Sequence, residues 1–131
     1  MTPKQRFEDQ KGWRFGIHAH ASLLKRQKEV LAKMAPDFIE SYTPPPYSDL
    51  PLAELRETVG ENVAIFINFP EAVFYEGYAK TKKYTIDLLK SDPCHNKMIG
   101  FTEMAMMGVD ESNREIFEAG FRAVVDAIDQ L

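Results

Sequence analysis

Asn62-Val-Ala-Ile-Phe-Ile-Asn-Phe69 is apolar at nearly every position and stops at Pro70. A strand that is apolar on both alternating faces is buried on both, which is the habit of a parallel sheet flanked by helices. Working outward from this run, the same unit of strand and helix repeats on both sides. Upstream lie an apolar run over Trp13–His20 and a second over Asp37–Tyr42; downstream lies a fourth over Met98–Glu103. Each is followed by a segment with helical spacing. The first helix begins at a Ser22 cap and carries Leu23, Leu24, Val30, Leu31 and Met34, and Pro36 closes it. The second is capped by Asp49, has Pro51 near its first turn and ends at Gly60. After Pro70, Glu71–Tyr75 reads as a turn of helix broken at Gly77. Tyr78–Lys90 reads as a longer helix with Tyr84, Leu88 and Leu89 inward. Ser112-Asn-Arg-Glu115 matches a capping box, and Phe117, Phe121, Val124, Val125 and Ile128 form the stripe of the last helix.

Strict strand–helix alternation predicts an α/β fold with four parallel strands joined by right-handed crossovers. Four units are too few for a closed eight-stranded barrel. The choice lies between a small open sheet with helices on both faces and a (βα)4 half of a TIM-type barrel. A half-barrel would leave two bare edges and an apolar inner face in water, so it calls for a partner. A second copy of the chain is the simplest one.

The 131 residues predict a single domain, with a polar extension over residues 1–11 and four βα units over 12–131. A content of 44% hydrophobic and 27% charged residues excludes disorder. The net charge of -4, without a basic stripe, argues against nucleic acid. No apolar run approaches a membrane span, and the N-terminal segment is too polar for a signal peptide. One cysteine, Cys94, fits a reducing compartment and predicts a cytoplasmic protein.

The candidate chemistry starts at Gly16-Ile-His-Ala-His-Ala21, where alternation puts His18 and His20 on one face of a strand tip. Paired imidazoles there hold either a metal or hydrogen bonds to carboxylates in a polar mouth. Glu40 stands before the proline loop Thr43-Pro-Pro-Pro-Tyr47, on the face of Phe38 and Tyr42. It is either inward with a raised pKa, as a general acid or base, or outward and salt-bridged; the inward case is favoured. The proline loop is a rigid connector or a substrate lid. Asn68, the polar residue deep in the third strand, caps a backbone group or faces a pocket. Met104, Met106 and Met107 suit a soft apolar ligand surface or a dimer seam.

Several of these stretches carry a resemblance. His18-Ala-His-Ala, Phe38-Ile-Glu-Ser-Tyr-Thr-Pro-Pro-Pro-Tyr-Ser-Asp-Leu-Pro51, Asn62–Pro70 with Glu71-Ala-Val-Phe, and Ile99-Gly-Phe-Thr-Glu103 resemble the uroporphyrinogen decarboxylase superfamily. That superfamily comprises (βα)8 barrels, both haem-pathway decarboxylases and cobalamin-dependent methyltransferases. The match spans roughly Gly16 to Leu131 and corresponds to the carboxy-terminal four strands. The segments that hold the porphyrinogen in the amino-terminal half have no counterpart here. Where the decarboxylases have Leu-Gly-His, this chain has Ile99-Gly100-Phe101. Where the thiol methyltransferases bind zinc through a histidine and two cysteines, it has His18, His20 and Glu103, and Cys94 falls before the fourth strand.

The resemblance therefore implies metal-dependent, methyltransferase-like chemistry at the carboxyl ends of the strands, with decarboxylation the weaker expectation. The expected metal ligands are His18, His20 and Glu103, with Glu40 as a fourth ligand or the catalytic base. The expected substrate contacts are Tyr42, Asn68 and Met104. The expected ion is divalent, zinc ahead of iron, and the expected methyl donor is a corrinoid. The expected assembly is a homodimer completing an eight-stranded barrel around a small-molecule substrate, without nucleic acid or membrane. The alternative is a non-catalytic or truncated half-barrel subunit that binds a separate partner chain or ligand.

Overall fold

The computed structural model describes residues 15–19, 23–101 and 108–131. Strand β1 (Gly16–His18) leads through a 3-10 turn (Leu24–Gln27) into helix α1 (Lys28–Met34). Strand β2 (Phe38–Tyr42), helix α2 (Leu52–Val59) and strand β3 (Ala64–Asn68) follow. A 3-10 segment (Glu71–Glu76), helix α3 (Tyr78–Lys90), strand β4 (Lys97–Gly100) and helix α4 (Arg114–Asp129) complete the order.

The four strands form one sheet in the order β1-β2-β3-β4, every neighbouring pair parallel. With right-handed crossovers, helices on both faces require the strand order to reverse at some point. It does not reverse. The class is α/β, with the connectivity of a (βα)4 half of a TIM-type barrel. The strands are shorter than the apolar runs that announced them, although backbone bonds continue past their ends. Ala19 N–H donates to the Glu40 carbonyl at 2.8 Å and Phe69 N–H to that of Gly100 at 2.9 Å.

The chain divides into two compact units, one through residue 69 with 94–100, the other holding 70–93 and the residues from 101. In the first, Ile39, Ile65 and Ile67 bury one face of the sheet, and Leu24, Leu31, Leu52 and Leu55 are buried with them. Each such side chain contributes about 1.5–3 kcal/mol relative to exposure. The opposite face carries Phe38 and Phe66, half-buried and stacked at 5.5 Å with their planes 16° apart. Met98, in register with Phe66, is 53% exposed. Gly16 opens the slot for Phe38, since a Cβ there would lie 2.1 Å from the ring. At the amino ends of β3 and β4, the buried Arg56 donates to the carbonyls of Gly60 (3.0 Å), Val63 (2.6 Å) and Asn96 (2.9 Å). One guanidinium thereby closes the end of α2 and ties together the chain entering two neighbouring strands.

The second unit is built round Phe74. Phe117 and Phe121 meet its ring edge-on at 5.5 and 5.2 Å, and Phe101 lies at 6.0 Å. Helices α3 and α4 pack together. Their buried positions include the small residues Thr81 and Thr85 on α3, and Gly120, Ala123 and Ala127 on α4. The threonine hydroxyls donate back into their own segment, Thr81 to Gly77 at 2.9 Å and Thr85 to Thr81 at 2.8 Å. The seam therefore carries hydroxyls at no cost in unmade hydrogen bonds.

Several local expectations change. Asp49 does not cap α2; its carboxylate accepts from the Lys25 N–H at 2.9 Å, at the start of the 3-10 turn, and Pro51 stands at the α2 N-cap. The capping box at Ser112 is replaced by a wrap from Asp110, two residues earlier. The Asp110 carboxylate accepts from the Ser112 N–H at 2.8 Å, and Asn113 occupies the N-cap of α4. The Ser112 hydroxyl donates to the same carboxylate oxygen at 2.5 Å, and a charged acceptor makes the stronger hydrogen bond. Tyr84, Leu88 and Leu89 are only half-buried. Val125 and Ile128 face outward on α4, as Leu23, Val30 and Met34 do in the first helical stretch. There, the 3-10 start turns every three residues and shifts the phase, so Leu24 and Leu31 alone keep the inward stripe.

Candidate functional site

Parallel register sets His18 opposite Glu40. Neighbouring strands lie about 4.8 Å apart, close enough for the two side chains to meet directly. They do: His18 Nδ1 pairs with Glu40 Oε2 at the carboxyl end of β1. An ionised carboxylate only accepts, so Nδ1 carries the shared proton and any further ligand of this ring belongs at Nε2. The pair is open to solvent, with 64% of the His18 and 41% of the Glu40 side chain exposed. The apolar enclosure expected round Glu40 is thus not what surrounds it. It is a carboxylate engaged by a histidine on one oxygen and by the Ser41 hydroxyl on the other.

Ser41 owes that position to a β-bulge. Phe38 and Ile39 pair with Ala64 and Ile65, but the next partner of Ile67 is Tyr42, so β2 holds one residue more than β3 between these points. Ser41 has φ 59°, in the left-handed region that a non-glycine residue rarely enters. The bulge also corrects the expected face of Tyr42. Instead of sharing Glu40's side of the sheet, Tyr42 pairs with Ile67 and is fully buried, its hydroxyl donating to the Leu50 carbonyl at 2.6 Å. That bond holds the end of the proline loop against the strand that begins it. Asn68 is buried too, and its amide donates to Thr43 Oγ1 at 3.2 Å. The polar residue of β3 therefore fastens the start of the same loop, and the stretch from Thr43 to Leu50 is anchored at both ends.

His20, Glu103, Met104, Met106 and Met107 lie outside the described residues, as do Trp13 and Ser22. Cys94 sits ahead of β4, its sulfur 3.7 Å from the Glu61 carbonyl. Among the described residues no group of three or more His, Cys, Asp or Glu side chains could hold a metal ion. What they do provide is an imidazole with its other nitrogen on a carboxylate. This is the pairing that orients histidine ligands in metal centres and histidine bases in metal-free ones.

Sequence reasoning missed Ser41 and Thr43 as parts of the site. A signal for the bulge did exist. Ile39 and Tyr42 are three apart, and both can be buried on one face only if a residue is inserted between them. Among the described residues, no helix is long and apolar enough to cross a membrane. Comparison with protein-family models, curated proteins and solved structures finds no match to this chain.

Proposed function

We propose that this chain is a half-barrel of the uroporphyrinogen decarboxylase and methyltransferase type, with metal-dependent, methyltransferase-like chemistry at the carboxyl ends of its strands. The observation that carries the reading is the His18–Glu40 pair, set across β1 and β2 at the end of the sheet where parallel barrels keep their active sites. In this reading His18, His20 and Glu103 hold a divalent ion, zinc in preference to iron. Glu40 orients His18 and serves as the base. The ion supplies Lewis acidity to a methyl donor or acceptor, the donor being a corrinoid. Asn68 and Tyr42 support the mouth through the proline loop, and Met104 is the residue assigned to an apolar part of the small-molecule substrate. The reducing, cytoplasmic setting implied by a lone cysteine belongs to the same reading.

The partner in this proposal is a second copy. Among the described residues β1 and β4 are edge strands at opposite ends of the sheet, and Phe38, Phe66 and Met98 leave its second face incompletely covered. Parallel sheets are covered on both faces, and pairing β4 of one copy with β1 of the other would close eight strands. The same apolar face favours a second reading, a non-catalytic half-barrel docked on a separate chain.

Native mass spectrometry of the full chain with elemental analysis tests both readings. The proposal expects a dimer with one metal per chain, lost on His18→Ala while the dimer persists. A metal-free dimer, or metal content unchanged by His18→Ala, refutes the site. A stable monomer that associates only with a different protein favours the scaffold reading.

A further inference from the structure

The geometry assigns Ser41 as the positioning residue of the His18–Glu40 pair, an inference that rests on the proposed site but not on the identity of its reaction. On a regular strand, consecutive side chains point to opposite faces, and residue 41 could not reach the carboxylate of residue 40 on the sheet's second face. Here the bulge between Ile39 and Tyr42 breaks that alternation at this pair. The left-handed backbone of Ser41 turns its hydroxyl onto Glu40 Oε1, while Oε2 receives His18 Nδ1.

Three features converge. A conformation that L-residues avoid is adopted by a serine, at the one residue inserted into the ladder, next to the one histidine–carboxylate pair among the described residues. Glycine would satisfy that backbone more easily. Serine adds a hydroxyl donor, and the hydroxyl is used. Backbone strain of this kind persists where the surroundings over-determine it, and here they do so on both sides: Ile39 and Tyr42 are fully buried and paired to β3. The hydroxyl engages Oε1 and so restrains the carboxylate while Oε2 receives His18 Nδ1. The consequence is a fixed tautomer, with the proton on Nδ1.

The test uses the full-length, metal-free protein with ¹⁵N-labelled histidine, all variants compared at the same pH. Ring-nitrogen chemical shifts then report the ratio of the Nδ1–H to the Nε2–H form of His18. Wild type should hold the Nδ1–H form. Ser41→Gly, which suits the left-handed backbone but lacks the hydroxyl, should shift the ratio about fivefold toward Nε2–H, the size of one net hydrogen bond. Ser41→Asn, which tolerates the same backbone and carries an amide donor, should restore most of it. An unchanged ratio in Ser41→Gly overturns the assignment, as does failure of Asn to recover any of it in a folded protein. A shifted ratio in a chain that binds no metal leaves the positioning role standing and removes only the metal-dependent reading.

Discussion

Replacing Gly120 with alanine reverses the usual sign of a glycine-to-alanine change in a helix. Gly120 lies inside α4, where alanine is ordinarily favoured by about 1 kcal/mol. Here the added Cβ would sit 2.2, 2.4 and 2.6 Å from atoms of the Phe74 ring, well inside the 3.4 Å of ordinary contact. Phe74 is 2% exposed, and its ring is held edge-on by Phe117 and Phe121. Making room would displace a whole aromatic cluster instead of one flexible chain end. Overpacking of this kind costs about 1–3 kcal/mol, and a clash against a boxed ring belongs at the upper end. Subtracting the propensity gain leaves Gly120→Ala destabilising by about 2 kcal/mol. For a chain of this size that is a fall in Tm of about 8 °C. Urea unfolding followed by circular dichroism, supported by calorimetry, measures it. The decisive comparison repeats the substitution in a Phe74→Leu background, where the obstructing ring is gone and alanine should be neutral or stabilising. A rise in stability in the native background, or the same loss in both, would refute the reasoning.

Arg56→Met removes a buried guanidinium from three carbonyls and should destabilise by about 3 kcal/mol in urea unfolding; Arg56→Lys should recover only part, since one ammonium cannot span the same fork. Glu54 is held below the ordinary glutamate value of 4.5, first by its hydrogen bond from Lys28 at 2.8 Å and further by the charges of Lys28 and Lys25. A depressed carboxylate contributes stability that is present above 4.5 and disappears as pH falls through its folded value, so NMR titration of Lys28→Met should find Glu54 titrating closer to 4.5. The Tyr78 phenol is pushed above 10.0 because it donates to the Asp126 carboxylate at 2.5 Å, and ultraviolet titration of Asp126→Asn should bring it back down.

Much of the fold was legible because period and punctuation act locally. The four apolar runs, Gly60 and Gly77 at positive-φ positions that end their segments, and Tyr78–Lys90 as a helix follow from residues a few positions apart. So does the adjacency that brings Glu40 beside His18, once consecutive strands of an alternating chain are taken as parallel neighbours. What local pattern could not supply was competition between distant partners. Asp49 looks like a cap for the helix that follows it, yet Lys25 offers its backbone N–H across 24 residues. Val125 and Ile128 fit an apolar stripe as well as Phe117 and Val124 do, and only the direction of packing separates them. Ser41 is the sharpest case. Sequence alone placed His18 and Glu40 near the ends of neighbouring strands, with Glu40 expected to turn inward; their direct contact is a finding of the structure. Tertiary structure decided how they are held, because burial of both Ile39 and Tyr42 against β3 demands an extra residue between them, and that residue carries the hydroxyl that aims the carboxylate.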